Sequence, residues 1–481
     1  MSIEQESRSI DAGLLQQITS GIAWSYRVVP FNAEGGKLFL YCGEGESIAS
    51  LAEELEVLLG KVVELHPLSE LELERLLVSS YRKSRSGSGE GAASASGLSV
   101  RDPHFLRKLV FEAHQSGSSD IHLEIYDERC RVRFRIDGLL MERYHIGKAE
   151  YPALVNQIKI QANLDISEKR LPQDGRLLFS HEGERFDVRV SVLPTIYGEK
   201  VVMRLLSRNA MLLELTNLGF KQQQLDHYLE AIKRPIGLVL ISGPTGSGKT
   251  TTLYATLKLL NQERSNILTI EDPIEYTLDG VNQVQLKESI GLSFGSALRT
   301  FLRQDPDIIM LGEIRDSDTA QMAVRSALTG HLIFSTLHTN SAWGIVARLL
   351  DMGIPPYLLS GTVNLTMAQR LVRLLCPECK KEETWNNALY PRNYKPVRTL
   401  HYHYTAVGCA HCYYTGYSKR RAIYEVIPID SELSGFIRNS NMDVTGYIKE
   451  KGYLTLSDSA FEMLENGETS IEEVYPIFLG L

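Results

Sequence analysis

The sequence contains no apolar run of 18 residues, so no segment reads as a membrane-spanning helix. Its opening, "MSIEQESRSIDAG", lacks a basic stretch followed by an apolar core and predicts no secretory leader. Positive charge is short as well. Acids outnumber bases 59 to 51, leaving a net charge of −8. With no long basic stripe and no aromatic-rich single-strand motif, this balance speaks against a protein that tracks nucleic-acid backbones. Cysteine is sparse, with six in 481 residues. Four of them fall in "CPEC" (376–379) and "CAHC" (409–412), while Cys42 and Cys130 stand alone. In a chain without a leader, paired Cys-x-x-Cys reads as metal ligation before disulfides, and the expected compartment is the cytosol.

What is present divides the chain. Residues 82–98, "RKSRSGSGEGAASASGL", carry almost no large apolar side chain. Such a segment cannot offset its ordering entropy and reads as a linker, placed at 82–99. It separates a small α/β module, 1–81, with strand-like "YRVVPF" and "KLFLYC" and helix-like "IASLAEELEVLLG" and "ELELERLLVSSY". A second α/β module spans 100–207. There "PHFLRKLVFEAHQSG" has helical spacing and a glycine stop, and "CRVRFRIDG" and "RFDVRVSVLPTIYGEKVVMRLL" alternate as half-exposed strands do. Over 208–375 the pattern becomes short continuous apolar runs, "GLVLIS", "ILTI", "DIIML" and "HLIFST", separated in part by helical segments. This predicts a parallel sheet covered by helices on both faces.

"GPTGSGKT" (243–250) satisfies G-x-x-x-x-G-K-[ST] at every fixed position, between a strand and a helix. Gly243, Gly246 and Gly248 let the backbone of the loop (Gly243, Pro244, Thr245, Gly246, Ser247, Gly248, with Thr250 and Thr251 opening the helix) curl around phosphate, so that its N–H groups, all but the missing one of Pro244, converge there. Lys249 supplies charge to the terminal phosphates, and the Thr250 hydroxyl can hold Mg²⁺. Ligands of open parallel sheets bind beyond the carboxyl ends of the strands. Those ends carry Glu271 and Glu275 in "EDPIEY", Glu313 in "GEIRD" and His338 in "LHTN". Two roles fit Glu313: activating the attacking water, or ligating Mg²⁺.

Taken together, "GPTGSGKT", "LTIEDPIEY" (268–276), "IIMLGEIRD" (308–316) and "TGHLIFSTLHTN" (329–340) resemble, in order and spacing, the secretion ATPases of the type II/type IV pilus superfamily. "SDIHLE" (119–124), "LPQDGR" (171–176) and "AQRLVRLLCPEC" (368–379) extend the resemblance over roughly 100–430. The resemblance implies a RecA-like P-loop core preceded by a PAS-like α/β domain, working as a homo-hexamer on ATP with Mg²⁺. It implies that Arg189 and Arg204 act as arginine fingers and that Arg299, Arg303 and Arg315 are basic positions on the motor side. His338 would sense the terminal phosphate, and His331 would be structural. The paired cysteines and short N-terminal module bring it closest to the assembly ATPase of type II secretion, which drives pseudopilus assembly. Residues 1–81 would then bind an inner-membrane platform protein, with no nucleic acid involved. A type IV pilus extension ATPase, a RecA-like nucleic-acid translocase and a nucleotide-gated scaffold that scarcely turns over stay open as alternatives.

Cys376, Cys379, Cys409 and Cys412 are expected to hold one Zn²⁺ through four thiolates in a module at 376–425, followed by a helical segment at 426–481. With all four positions filled by protein, that zinc would be structural. His411, between ligands, is a bystander.

Overall fold

A computed structural model of the chain describes residues 104–206 and 214–480, apart from 182–183, 387–388, 392–393 and 397, together with parts of 14–77. The linker expected at 82–99 lies outside the described residues. The chain falls into two units, 1–97 and 98–481.

The first unit is a three-stranded sheet of β1 (Val29–Glu34), β2 (Lys37–Gly43) and β3 (Val62–Leu68). β1 runs antiparallel to β2, and β3 parallel to it. Leu38 and Leu40 of β2 bury against Leu55, Leu73 and Leu77. Leu73 and Leu77, four residues apart, are spaced as helix positions that face one core. β3 went unread in the sequence because "VVELHPL" holds Pro67. A proline with no ladder N–H is tolerated here because β3 is an edge strand.

The second unit contains two large sheets. The first has six antiparallel strands: β4 (Ser118–Ile125), β5 (Cys130–Ile136), β6 (Leu139–Ile146), β7 (Gln173–His181), β8 (Glu184–Thr195) and β9 (Gly198–Leu206). Their order is β6-β5-β4-β9-β8-β7. Strict alternation decides its faces. Cys130, Val132, Phe134 and Ile136 of β5 point to a core shared with the helices Phe105–Gln115 and Tyr151–Gln161, and Arg131, Arg133 and Arg135 point away.

The other sheet contains β10 (Gly237–Ser242), β11 (Ile267–Glu271), β12 (Asn282–Gln285), β13 (Ile308–Leu311), β14 (Leu332–Leu337) and β15 (Val363–Leu375). A ribbon of β16 (Lys380–Thr384) and β17 (Tyr402–Ala406) follows, and β18 (Tyr417–Pro428) then returns to the sheet. The order is β12-β11-β13-β14-β10-β15-β18, parallel throughout except for β18. Both faces are covered, which explains the non-alternating runs. Leu238 and Leu240 of β10 enter one core, and Val239 and Ile241 enter the other.

β15 and β18 change the expected layout. β15 did not read as a buried strand because it buries Asn364, Thr366, Gln369 and Arg370 among its apolar residues. β18 pairs with it from Leu365↔Pro428 to Leu375↔Tyr417, so the boundary expected at 425/426 falls inside a strand. The four cysteines lie on an excursion between two strands of this seven-stranded sheet. Beyond β18, the helices Ser431–Arg438, Leu456–Glu465 and Ile471–Phe478 bury Leu433, Phe461 and Val474 in the same core as Leu240 and Ile333.

The cysteine excursion also touches the six-stranded sheet. The Arg143 guanidinium sits 4.9 Å from the Tyr413 ring centroid. In the tight turn after β5, Asp137 accepts from the Lys419 backbone N–H at 3.0 Å and pairs with Arg420 Nε at 3.2 Å.

Candidate active site

The phosphate loop leaves β10 at Ser242 and enters the helix Lys249–Leu260. Glycine is required sterically at two of its positions. At Gly243 (φ +148°) a Cβ would lie 2.5 Å from the Gln369 carbonyl oxygen, and at Gly248 (φ +89°) 2.8 Å from Gln369 Nε2. Gln369, on β15, therefore packs under the loop at both ends. Lys249 Nζ donates to the carbonyls of Gly243 at 2.7 Å and Pro244 at 3.0 Å, which holds the ammonium over the loop. Burial pushes its pKa down, opposed by the charge of Glu313. Ser247 Oγ is buried with no hydrogen-bond partner among the described residues. An inward-turned hydroxyl without a partner, a cation over the loop and open backbone curvature together form an anion cradle.

β13 delivers Glu313. Gly312 N–H donates to the Ile270 carbonyl at 2.8 Å, and the Thr336 hydroxyl donates to the Gly312 carbonyl at 2.8 Å, so the segment after β13 is fixed between β11 and β14. The Glu313 side chain is only 17% exposed and is ion-paired with Arg315, with His338 Nε2 3.4 Å from its other oxygen. Its hydrogen bond to Arg315 raises the Arg315 pKa. The two expected strand-end groups, Glu313 and His338, thus meet. His331, at the start of β14, places Nδ1 2.8 Å from the Ser326 carbonyl, a local structural contact.

Glu271 does not join them. It is buried, and its carboxylate accepts from the Tyr254 hydroxyl, from Thr269 Oγ1 at 2.5 Å and from Gln283 Nε2 at 3.1 Å. With its oxygens committed to three donors, it fixes the start of the "EDPIEY" segment. Burial first, and the Glu271 charge next, hold the Tyr254 phenol well above its usual pKa. Glu275 lies further along that segment, 3.6 Å from Arg189 Nη1, and Arg189 also donates to the Ile274 carbonyl.

The six-stranded sheet brings its charges into register. Arg176 on β7 faces Arg189 on β8, which faces Arg204 on β9, then Asp120 on β4 and Arg135 on β5. Three arginines in adjacent strands repel one another. Glu275 offsets Arg189, and Asp120 holds Arg204 Nε at 2.9 Å with Arg135 Nε at 3.5 Å. Arg204 remains 58% exposed. Arg176, Arg189 and Arg204 line a cavity of about 670 Å³ that also meets Pro273, just past β11, and Gln285 of β12. Asp120 and Arg176 were missed as site residues. Both sit within the motifs "SDIHLE" and "LPQDGR", but only the pairing of the strands sets them beside the arginines. Arg299 and Arg303 are exposed, and Arg303 Nη1 donates to the Arg299 carbonyl at 2.9 Å.

At the cysteine excursion, Sγ separations are 3.9 Å (Cys376–Cys409), 3.7 Å (Cys379–Cys412) and 3.8 Å (Cys409–Cys412). All four sulfurs lie within 4.8 Å of one another. Disulfides would need about 2.05 Å. Four thiolates about 2.3 Å from a tetrahedral Zn²⁺ lie about 3.8 Å apart, so the donor set fits that ion. Burial alone would raise the Cys412 thiol. Backbone N–H groups of Cys409 and Gly416, each 3.2 Å away, and the neighbouring thiols outweigh it and bring Cys412 down to about 6.

Comparison with known proteins agrees with this geometry. The family model described as type II/IV secretion system protein matches residues 101–476. The chain belongs to that family. The type IV pilus assembly ATPase PilB of Myxococcus xanthus is 41% identical to this secretion-family chain, covering 98% of it and 88% of PilB. Type II secretion system protein E of Pseudomonas aeruginosa is 45% identical over 77% of the chain and 74% of its own length. The pilus retraction motor PilT, solved with bound ADP, superposes with a TM-score of 0.52 at 26% identity, covering 77% of the chain and 96% of PilT. The chain is an ATP hydrolase of the secretion ATPase group.

Proposed function

We propose that the chain is the motor of a type II secretion system, a cytoplasmic homo-hexamer recruited to the inner membrane that couples ATP hydrolysis to pseudopilus assembly. The observation that carries this reading is the meeting of Glu313 with His338 and Arg315 beside the phosphate loop, in a chain 45% identical to secretion protein E. In this reading Lys249 and the N–H groups of 245–251 bind the phosphates, and Thr250 and Glu313 hold Mg²⁺. Glu313 orients the attacking water, His338 reads the terminal phosphate, and Glu275 anchors Arg189. Arg204, exposed in its cleft, delivers positive charge to developing phosphoryl charge. The four cysteines hold a structural Zn²⁺.

A second reading, a type IV pilus extension ATPase, has one specific observation in its favour. Similarity to the Myxococcus PilB runs through the N-terminal unit, whereas similarity to secretion protein E covers 77% of the chain. Disrupting the gene in its own host separates the two. Loss of exported proteins supports secretion, and loss of surface pili with export intact supports pilus extension. ATPase rate measured against protein concentration, with and without DNA, tests the motor itself. A rate per chain that climbs with assembly and ignores DNA is expected, and stimulation by DNA would favour a translocase.

Two further outcomes follow from this reading. Arg204→Ala is expected to lower turnover by about 10³-fold while ATP affinity stays within a few-fold, because Arg204 lies outside the phosphate-loop sheet. Single-turnover kinetics beside equilibrium binding checks the split, and an equal fall in both would place Arg204 in binding. A chain lacking residues 1–81 is expected to bind ATP as the full chain does and to lose membrane recruitment. Cell fractionation with nucleotide binding reads both, and lost ATP binding would contradict the assignment.

A further inference from the structure

Two cations are buried among the described residues, and they are handled differently. Lys159 meets Glu199 at 2.5 Å and two backbone carbonyls. Arg370, on β15, is 93% removed from solvent, yet no carboxylate of the described residues lies within 4.0 Å of its guanidinium. Its donors reach only carbonyls, Gln369 at 3.1 Å and Asn340 at 3.2 Å. Glu425 faces it electrostatically and Glu473 lines the same cavity, yet neither pairs with it. Glu425 accepts from the backbone N–H groups of Ala342 at 2.7 Å and Leu456 at 3.3 Å. Glu473 is committed to Arg373, whose Nε donates to it at 2.8 Å. A buried guanidinium cannot shed its proton, so burial without an acid partner is costly. A structure that keeps such a cation leaves a place for an anion.

The surroundings say which anion. Arg370 lines a cavity of about 510 Å³ together with Gly243, Pro244, His338 and Asn340. It therefore shares one space with the first residues of the phosphate loop and with the histidine that touches Glu313. Its bond to the Asn340 carbonyl also ties it to the loop carrying His338. We propose that Arg370 receives an oxygen of the terminal phosphoryl group of ATP, so that its guanidinium gains an acid partner only when the triphosphate is bound. The same contact steadies the His338–Asn340 loop in the ATP state. ADP leaves Arg370 unpaired. The proposal rests on the ATPase reading and adds to it a residue that separates ATP from ADP.

The test compares ADP with a non-hydrolysable ATP analogue, each with Mg²⁺, on the full-length chain and on Arg370→Gln and Arg370→Lys. In Arg370→Gln, analogue affinity is expected to fall about tenfold or more, as when a charged hydrogen bond is lost, with ADP affinity within twofold of wild type. Arg370→Lys keeps the charge without the planar fork and should recover part of the loss. Thermal melting and zinc content report whether each variant is folded. Equal weakening of both nucleotides, or of neither, in a folded variant overturns the proposal and leaves the ATPase reading standing. Should Arg370→Gln not fold, Arg370→Lys decides alone: reduced preference for the analogue over ADP supports the proposal, and unchanged preference overturns it. A wild-type chain that binds neither nucleotide overturns the ATPase reading and this proposal with it.

Discussion

Glu313→Gln is expected to bind ATP about as tightly as wild type and to hydrolyse it about 10²- to 10⁴-fold more slowly. The substitution keeps the volume of a side chain that is 17% exposed, so packing between β11 and β14 is preserved. What disappears is the negative charge that Arg315 and His338 both face, and with it the oxygen able to orient or deprotonate water. An interaction needed only in the transition state shows in the rate and not in ground-state binding. Lys249→Ala should behave differently. It removes the ammonium held over the loop by the Gly243 and Pro244 carbonyls, so binding and turnover fall together. Phosphate-release kinetics beside nucleotide titration distinguishes the two variants. Near-normal turnover in Glu313→Gln would move the catalytic role to Glu275, since Glu271 is committed to Tyr254, Thr269 and Gln283.

The double variant Cys376→Ser, Cys409→Ser should lose its zinc, and secretion with it, and keep ATP binding. Structural zinc sites contribute apparent free energies of about 10–16 kcal/mol in isolated zinc-binding peptides, more than the excursion could recover from its small buried surface. The site nevertheless hangs from β15 and β18, whose pairing continues to Leu365↔Pro428 at the far end of the sheet. Damage should therefore stop at the excursion. The motor sheet, with Gln369 under the phosphate loop, should remain folded. Metal analysis and amide exchange over 376–416 check this, with zinc lost and exchange accelerated only there. Protein purified without chelator that carries no zinc would refute the metal assignment.

How far the sequence could be read depended on what each strand buries. β10, β11, β13 and β14 were legible because their runs are continuous and mostly apolar, broken only by small hydroxyl residues before the strand ends, as suits a strand covered on both faces. β15 and β18 were not legible, because they bury Gln369, Arg370 and Glu425, which read as solvent-facing residues until their partners are seen. The same blindness hid the site's second half. The motifs pointed to Glu313 and His338 as separate strand-end groups, but their mutual contact depends on β13 and β14 being neighbours. Arg176 was quoted and passed over because no sequence spacing shows that β7, β8 and β9 set it in register with Arg189 and Arg204. The cysteines were read in full, since two Cys-x-x-Cys turns carry their own local geometry. That they emerge from inside the motor sheet was not legible, as antiparallel pairing across more than 40 residues has no sequence period.

Asp137 lies in the tight turn after β5 and grips the chain at Lys419 and Arg420, a few residues past the last cysteine, while Arg143 covers Tyr413. Each contact alone is worth little at a surface. They nevertheless bear on a single short stretch that a tetrahedral ion would keep from bending. Arg189 of β8 makes a further attachment, to Glu275 and the Ile274 carbonyl. The arginine-bearing sheet is thus fastened to its neighbour through different strands, as two hinges fix a door's line of swing, and the cysteine knuckle stiffens one of the two mountings.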